Sequence, residues 1–172
     1  MRCLDGTRKD LIASVRDFVV SALNILWIFG YPGSGKSTLA MHVANLFRIQ
    51  HCLSVIVEFN RNTGVNAVDL WKTFAYALAL EYPECRKAIV SKLKSRTLDL
   101  DNATSRQIFN QLVAESLRQL TAPNSNVPRD RFPVIIIDAL DECGGLEGSS
   151  WKACKDVLDC LADWRNWCRV SS

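Results

Sequence analysis

The sequence has little of what would make it a membrane, secreted or metal-binding protein. Its longest apolar stretch, "FVVSALNILWIF" from 18 to 29, is interrupted by Ser21 and Asn24 and is too short to span a bilayer. The N-terminus, "MRCLDGTRKD", has no apolar core and does not read as a signal peptide. No charge of one sign dominates: 21 Lys and Arg stand against 18 Asp and Glu, for a net charge of +3. The basic residues are spread over helices and loops rather than gathered in a block, so neither nucleic acid nor an anionic membrane is expected as a partner. Histidine is nearly absent, His42 and His51 alone, and no C-x-x-C pair occurs. The seven cysteines, at 3, 52, 85, 143, 154, 160 and 168, therefore lack zinc-ligand spacing. Their odd number reads as reduced, mostly buried thiols, which places the chain in the cytoplasm. There is no internal repeat and no low-complexity tract.

What remains is an ordinary globular composition, 48% apolar and 23% charged over 172 residues, enough chain for one domain with a real core. Apolar positions Leu11, Ile12, Val15, Phe18, Val19 and Ala22 recur at helical spacing, with Thr7 or Asp10 as a cap. They predict a helix leading into the domain over residues 1–23, with the domain itself over 24–172. "ILWIF" (25 to 29) is a continuous apolar run stopped by Gly30, the pattern of a strand buried on both faces of a parallel sheet. Thr38 to Arg48 reads as a helix with Leu39, Val43 and Leu46 inward, and "LSVIVEF" (53 to 59) as a second strand. Residues 66–82 form an apolar helix ending near Pro83, and "CRKAIVSKLKS" forms another. A further helix covers 104–120 with Ile108, Leu112, Leu117 and Leu120 on one face, and the loop "TAPNSNVPRD" follows. "FPVIIID" (132 to 138) is the third strand, "GGLEGSS" a loop, and Trp151 to Trp167 the last amphipathic helix. Strands separated by helices give an α/β fold with a parallel sheet flanked by helices.

Between the first strand and the helix after it lies "GYPGSGKST". Gly30, Gly35, Lys36 and Ser37 satisfy G-x-x-x-x-G-K-[ST] in the strand-to-helix setting that the pattern requires. A triphosphate needs backbone N–H groups turned inward around it, and Gly33 and Gly35 permit the backbone angles and close approach that a Cβ would block. The helix start adds its positive end. Lys36 is placed to reach the β and γ phosphates, and the Ser37 hydroxyl to ligate Mg²⁺. A glycine-rich turn that merely links strand to helix needs no lysine and hydroxyl at these offsets. The partner of such a loop is a carboxylate at the end of another buried strand, and "VIIIDALDEC" (134 to 143) supplies Asp138 for the metal sphere. Glu142, or Asp141, then stands where it orients or deprotonates the attacking water. An acidic loop after a strand is common by itself; it gains meaning from the phosphate loop in the same chain. Neither histidine is given a role. The five tryptophans, Trp151, Trp164 and Trp167 among them, read as packing residues, and in the last helix they also offer a surface for association.

"GYPGSGKST" and "VIIIDALDEC" together resemble the Walker A and Walker B motifs of NACHT-type P-loop NTPases of the STAND class of signalling ATPases, in the form common in fungal NOD-like receptors. "CLDGTR", "VEFNR", "FAYALALEYPECRKAIV" and "RQIFNQLV" extend the resemblance over nearly the whole chain. It implies Gly33, Ser34, Gly35, Lys36, Ser37 and Thr38 as phosphate binders, with Gly30 opening the motif. It implies Ser37 and Asp138 as Mg²⁺ ligands, and Asp141 with Glu142 as the acidic pair near the water. ATP and ADP are the implied ligands, in a switch that holds ADP at rest and ATP when active and ends in oligomerisation. Arg61, in "VEFNR", receives no role, and Arg8 is placed near the nucleotide. The resemblance also implies a sensor strand between the strand before the phosphate loop and the strand of Asp138, then small helical and winged-helix domains. "WRNWCRVSS" reaches Ser172 before any such run, so the expectation is an incomplete P-loop sheet that binds nucleotide, with weak or no hydrolysis, and associates with itself or with those receptor domains.

Two readings compete. A small-molecule P-loop kinase suits the chain length, but the acidic motif lies far from Gly30 and no arginine-rich lid follows it. A scaffold or remnant without nucleotide chemistry is the other.

Overall fold

The computed structural model describes residues 9–20, 25–62, 64–123, 125–128, 131–143 and 150–167. They build a mixed helix and strand fold around a two-stranded parallel sheet. In chain order the elements are α1 (Lys9–Val20), α2 (Lys36–Ile49), β1 (Ser54–Glu58), α3 (Ala67–Glu81), α4 (Pro83–Lys94), α5 (Ser105–Ile108), a π-helix (Phe109–Ala114), α6 (Glu115–Thr121), β2 (Val134–Asp138), a 3₁₀ turn (Leu140–Glu142) and α7 (Ser150–Trp167). The expected cap Thr7, as well as Arg8, Cys3, Cys168 and most of the "GGLEGSS" loop, lies outside the described residues. The chain forms two compact units, one from Met1–Glu58 with Pro128–Asp138, the other from Phe59–Val127 with Ala139–Ser172.

The first unit holds the sheet. β1 and β2 pair in parallel register from Ser54 opposite Val134 to Glu58 opposite Asp138, and the Val134 N–H donates to the Leu53 carbonyl at 2.8 Å just ahead of it. Both strands are rich in Val and Ile, which suit a pleated, half-buried surface. Val15 of α1, Leu39, Val43 and Phe47 of α2, and Cys52 form a buried cluster, against which Ile12, Val134 and Ile136 pack. The Cys52 thiol donates to the Phe132 carbonyl at 2.7 Å, tying the approach to β1 to the approach to β2.

The strand expected over 25–29 is not formed. Residues 25–30 carry no regular secondary structure, and the side chains are exposed rather than buried, from 39% at Ile28 to 85% at Phe29. The reason is the absence of a ladder partner: the sheet of the described residues contains β1 and β2 alone. A run of apolar residues becomes a buried strand only when neighbouring strands satisfy its backbone and cover its faces.

The second unit is helical. Asn66 starts α3 with a reciprocal cap, its side chain accepting from the Val68 and Asp69 N–H groups while Asp69 accepts from the Asn66 N–H. Thr104 and Gln107 do the same at the start of α5. Pro83 opens α4 at a position where its missing N–H costs nothing, and Arg86 donates to the Ala79 and Leu80 carbonyls at the end of α3 at 2.7 and 2.8 Å. The core gathers Leu70, Trp71, Phe74 and Leu78 of α3 with Phe109, Val113 and Leu120, and with Val157, Cys160 and Trp164 of α7. Trp71 and Phe109 rings lie 4.8 Å apart, Phe74 and Trp164 5.4 Å, in the tilted arrangement aromatic pairs favour. Ile108, Leu112, Leu117 and Leu120 are all buried as the spacing predicts, although the segment passes through a π-helical stretch that periodicity does not foretell. Arg106 bridges to Asp163 at 2.6 Å, joining α5 to α7.

Candidate functional site

The glycine-rich loop is shaped by its own backbone. The Ser34 N–H donates to the Tyr31 carbonyl at 3.1 Å, closing a turn, and the Leu39 N–H donates to the Gly35 carbonyl at 3.0 Å, starting α2. Gly33 and Gly35 lie at φ +76° and +77°, in the left-handed region that disfavours any side chain by about 1–2 kcal/mol. Gly30 is close to its neighbours rather than left-handed: a Cβ there would sit 3.0 Å from Ser34 Oγ, so that side chain would have to give by a few tenths of an ångström. Gly35 is the N-cap of α2, and no side chain caps the helix start.

Lys36, the first residue of α2, folds back over this loop. Its Nζ donates to the Gly30 carbonyl at 2.8 Å and to the Tyr31 carbonyl at 3.2 Å. The ammonium is thus held at the loop's entrance by two carbonyl dipoles. Ser34, Gly35, Lys36 and Thr38 are half-buried and Ser37 is exposed. Tyr31, beside the turn, is 88% exposed.

Asp138 ends β2 in the same unit, half-buried and opposite Glu58 in the ladder. α2 packs against both β1 and β2, so one small layer carries the glycine loop at one element's start and this carboxylate at another's end. Asp141 and Glu142 belong to the second unit. There the chain turns at Ala139, a non-glycine residue in the left-handed conformation at φ 52° and ψ 44°, into the 3₁₀ turn. Asp141 is exposed and Glu142 half-buried. The Glu142 carboxylate accepts from the Arg61 N–H at 3.3 Å. The structure therefore groups the predicted phosphate residues with Asp138 and groups the acidic pair with the turn after β1. Sequence reading missed that turn, Asn60 to Asn62. Its signal was the Asn-Arg-Asn pattern, since Asn side chains close turns on the backbone two residues ahead.

Of the other chemistry-bearing groups, the five described cysteines, Cys52, Cys85, Cys143, Cys154 and Cys160, are free and buried. Burial pushes the Cys143 thiol, next to Glu142, up to about 12, with Cys154 and Asp156 adding to the effect; Cys85 and Cys160 are raised to about 12, again chiefly by burial. Such thiols are packing groups, not nucleophiles. His42 sits on α2 and exposed His51 just beyond it, at φ 57°. Among the described residues no group of three or more His, Cys, Asp or Glu could hold a metal ion by itself, and no helix is long and apolar enough to cross a membrane.

The family model described as nephrocystin 3, N-terminal, matches residues 12–171. No curated protein and no solved structure matches the chain. The match covers nearly the full sequence, from within α1 to beyond α7, and the chain belongs to the nephrocystin 3 N-terminal family.

Proposed function

We propose that the chain is a nucleotide-binding module of the NACHT type, a P-loop NTPase domain of a signalling switch that takes ATP or ADP with Mg²⁺ and hydrolyses ATP slowly or not at all. The observation that carries this reading is the loop from Gly30 to Lys36. Two left-handed glycines precede a helix start without a side-chain cap, and a lysine lies folded over the carbonyls at its entrance. Backbone N–H groups of Gly33 to Thr38 would cradle the phosphates, helped by the positive end of α2. Lys36 would exchange its two carbonyl acceptors for β and γ phosphate oxygens, which are charged and so stronger partners. Ser37 and Asp138 offer hard oxygen donors, and Mg²⁺ takes one or two such protein groups with phosphate oxygens and water. When bound there, Mg²⁺ would neutralise charge developing on the phosphates. Asp141 and Glu142 are the candidates to orient or deprotonate water. The buried free thiols support a reducing, cytoplasmic setting. The exposed apolar run Ile25–Phe29 supports association, with a second copy or with further receptor domains.

A thermal melt with Mg²⁺ and ATP, ADP or GTP tests the proposal, with Lys36→Ala alongside. A ligand that binds only the folded state adds about 2.7 kcal/mol at a hundredfold excess over its dissociation constant. For a chain of this size that is a rise of about 5–11 °C. A rise abolished by Lys36→Ala is the expected result, and the nucleotide giving it names the ligand. A cooperative melt indifferent to all three would reject binding and favour the scaffold reading. Phosphate transfer to a nucleoside or sugar would instead make the chain a kinase.

A further inference from the structure

Apolar side chains exposed singly are ordinary, but the stretch from Ile25 to Tyr31 exposes them in series. Ile25, Leu26, Trp27, Ile28, Phe29 and Tyr31 are all open to solvent, from 39% at Ile28 to 88% at Tyr31. All of them lie in the first unit. The exposure does not alternate from residue to residue, so neither side of the run is covered. Contiguous apolar surface of this kind marks an interaction site. Aromatic side chains bury about 150–250 Å² each, so at their exposures Trp27, Phe29 and Tyr31 offer on the order of 450 Å². Ile25, Leu26 and Ile28 bring the patch towards the roughly 800 Å² that one partner gives to a standard interface.

We infer that this run is the contact through which the chain pairs with a second copy of itself, run against antiparallel run, about a two-fold axis at Trp27. The inference rests on the association named in the proposed function and commits it to one partner. A two-fold contact sets the same patch against itself, so a charged patch would oppose its own charge. Residues 25–35 contain no charged side chain, and a partner recognised through charge finds nothing here to pair with. Antiparallel pairing centred on Trp27 places Ile25 opposite Phe29 and Leu26 opposite Ile28, with Trp27 opposite its own copy. Every cross-strand pair is then apolar. Ladder bonds to the copy satisfy a backbone that no strand of the described residues reaches. The pairing stops at Phe29, because the Gly30 carbonyl accepts from Lys36 Nζ and the Tyr31 carbonyl from Lys36 Nζ and the Ser34 N–H. The glycine-rich loop therefore keeps its own bonds in the dimer.

The residue on the axis gives the test. Sedimentation velocity is run on the full chain over a concentration series, without nucleotide, for the parent, Trp27→Lys, Trp27→Glu and an equal mixture of the two variants. Trp27 is more than half exposed, so both variants are expected to melt cooperatively; Trp27→Ser replaces either one that does not. The parent is expected to form a dimer with a dissociation constant in the micromolar range or tighter. Loss of a central tryptophan weakens a contact at least about thirtyfold, and each charged variant also sets like charges face to face. Each variant alone is therefore expected to be monomeric where the parent dimerises. The mixture, which sets Lys against Glu, is expected to regain the dimer and to lose it as salt is added. A parent that stays monomeric at every concentration would overturn the inference, as would growth beyond the dimer, dimerisation of either variant as strong as the parent's, or a mixture that stays monomeric. Binding of the apolar dye ANS separates the two possible failures. A monomeric parent that binds the dye, and binds less of it as Trp27→Lys, overturns the second copy and leaves association with other domains standing. A monomeric parent that binds none takes the association reading with it.

Discussion

Two glycines in this chain form a matched pair that separates the cost of backbone strain from the cost of losing a ligand. Gly33 lies at φ +76° in the glycine-rich loop and Gly64 at φ +68° in the loop before α3. At each, an added Cβ would meet no atom within 4 Å. Substitution by alanine therefore clashes with nothing in the folded chain at either position. The remaining terms are about 1–2 kcal/mol of left-handed strain, offset by about 0.4–1 kcal/mol from the stiffer unfolded chain. Gly33→Ala and Gly64→Ala are each expected to lose about 1 kcal/mol, or a drop in Tm of about 2–4 °C. Their responses to nucleotide must then diverge. If phosphate lies against the loop, the new Cβ at Gly33 occupies the space of its approach, and a tenfold loss of affinity would remove about 1.4 kcal/mol of the ligand's stabilisation. Gly64→Ala should keep the parent's full rise. Differential scanning fluorimetry of the three proteins, with and without Mg²⁺ and ATP, reads both quantities at once. A Gly33→Ala chain with the full nucleotide rise would refute the claim that phosphate lies against this glycine. So would a Gly64→Ala chain that loses the rise to the same extent, because the effect would then be a general consequence of destabilisation.

Two further outcomes follow from the buried chemistry of the helical unit. Among the described residues the buried Trp71 Nε1–H has no hydrogen-bond partner, and such a group costs about 1–3 kcal/mol. Trp71→Phe removes it along with some volume, so urea denaturation should show a loss well under the roughly 3–5 kcal/mol of Trp71→Ala; equal losses would disprove an orphaned donor. Cys85, Cys143 and Cys160 are raised from 9.0 to about 12, with burial the largest cause. The folded state thus keeps these protons after the unfolded state has lost them, so the thiols' contribution to stability is complete below about pH 9 and declines as the pH rises towards 12. Melts from pH 8 to 11 should show less of this decline in a triple Cys→Ala chain, and an identical decline would refute it.

Much of the helical architecture was legible because its signals are local. Asn66 followed by Asp69, and Thr104 followed by Gln107, cap helix starts through contacts of a few residues, while Pro83, read from the sequence as the stop of the 66–82 helix, also opens the first turn of the next one. The inward residues Leu39 and Val43 follow from helical spacing and are buried. β1 and β2 are shorter than the apolar runs that announce them, since a ladder ends where its partner does. The π-helical turn from Phe109 to Ala114 left no mark in the periodicity. Phe109 and Val113 are as deeply buried as Ile108 and Leu112, and a wider buried face is what three rings, Trp71, Phe109 and Trp164, demand. The Arg61–Glu142 contact was illegible for a simpler reason: it joins two turns 81 residues apart, and no local rule relates them.

The failed strand over Ile25–Phe29 bears on the proposed function because the glycine-rich loop directly follows it. In a full parallel sheet, the strand before such a loop fixes the loop's entrance through its ladder. Here Ile25 to Phe29 have no ladder partner among the described residues, yet the loop after them is well defined. Its shape comes from within: a turn between Tyr31 and Ser34, two left-handed glycines, the first hydrogen bond of α2, and Lys36 drawing the Gly30 and Tyr31 carbonyls together. α2 is in turn anchored by Leu39, Val43 and Phe47. The shape of the loop therefore depends on the residues from Gly30 to Leu39 and on the face of one helix, not on the pairing of the strand before it. This is why the nine residues of the glycine-rich loop keep a shape of their own where the adjoining apolar run does not form its strand. Exposure of that run and competence of the loop are separate properties of the chain, and measuring one does not decide the other.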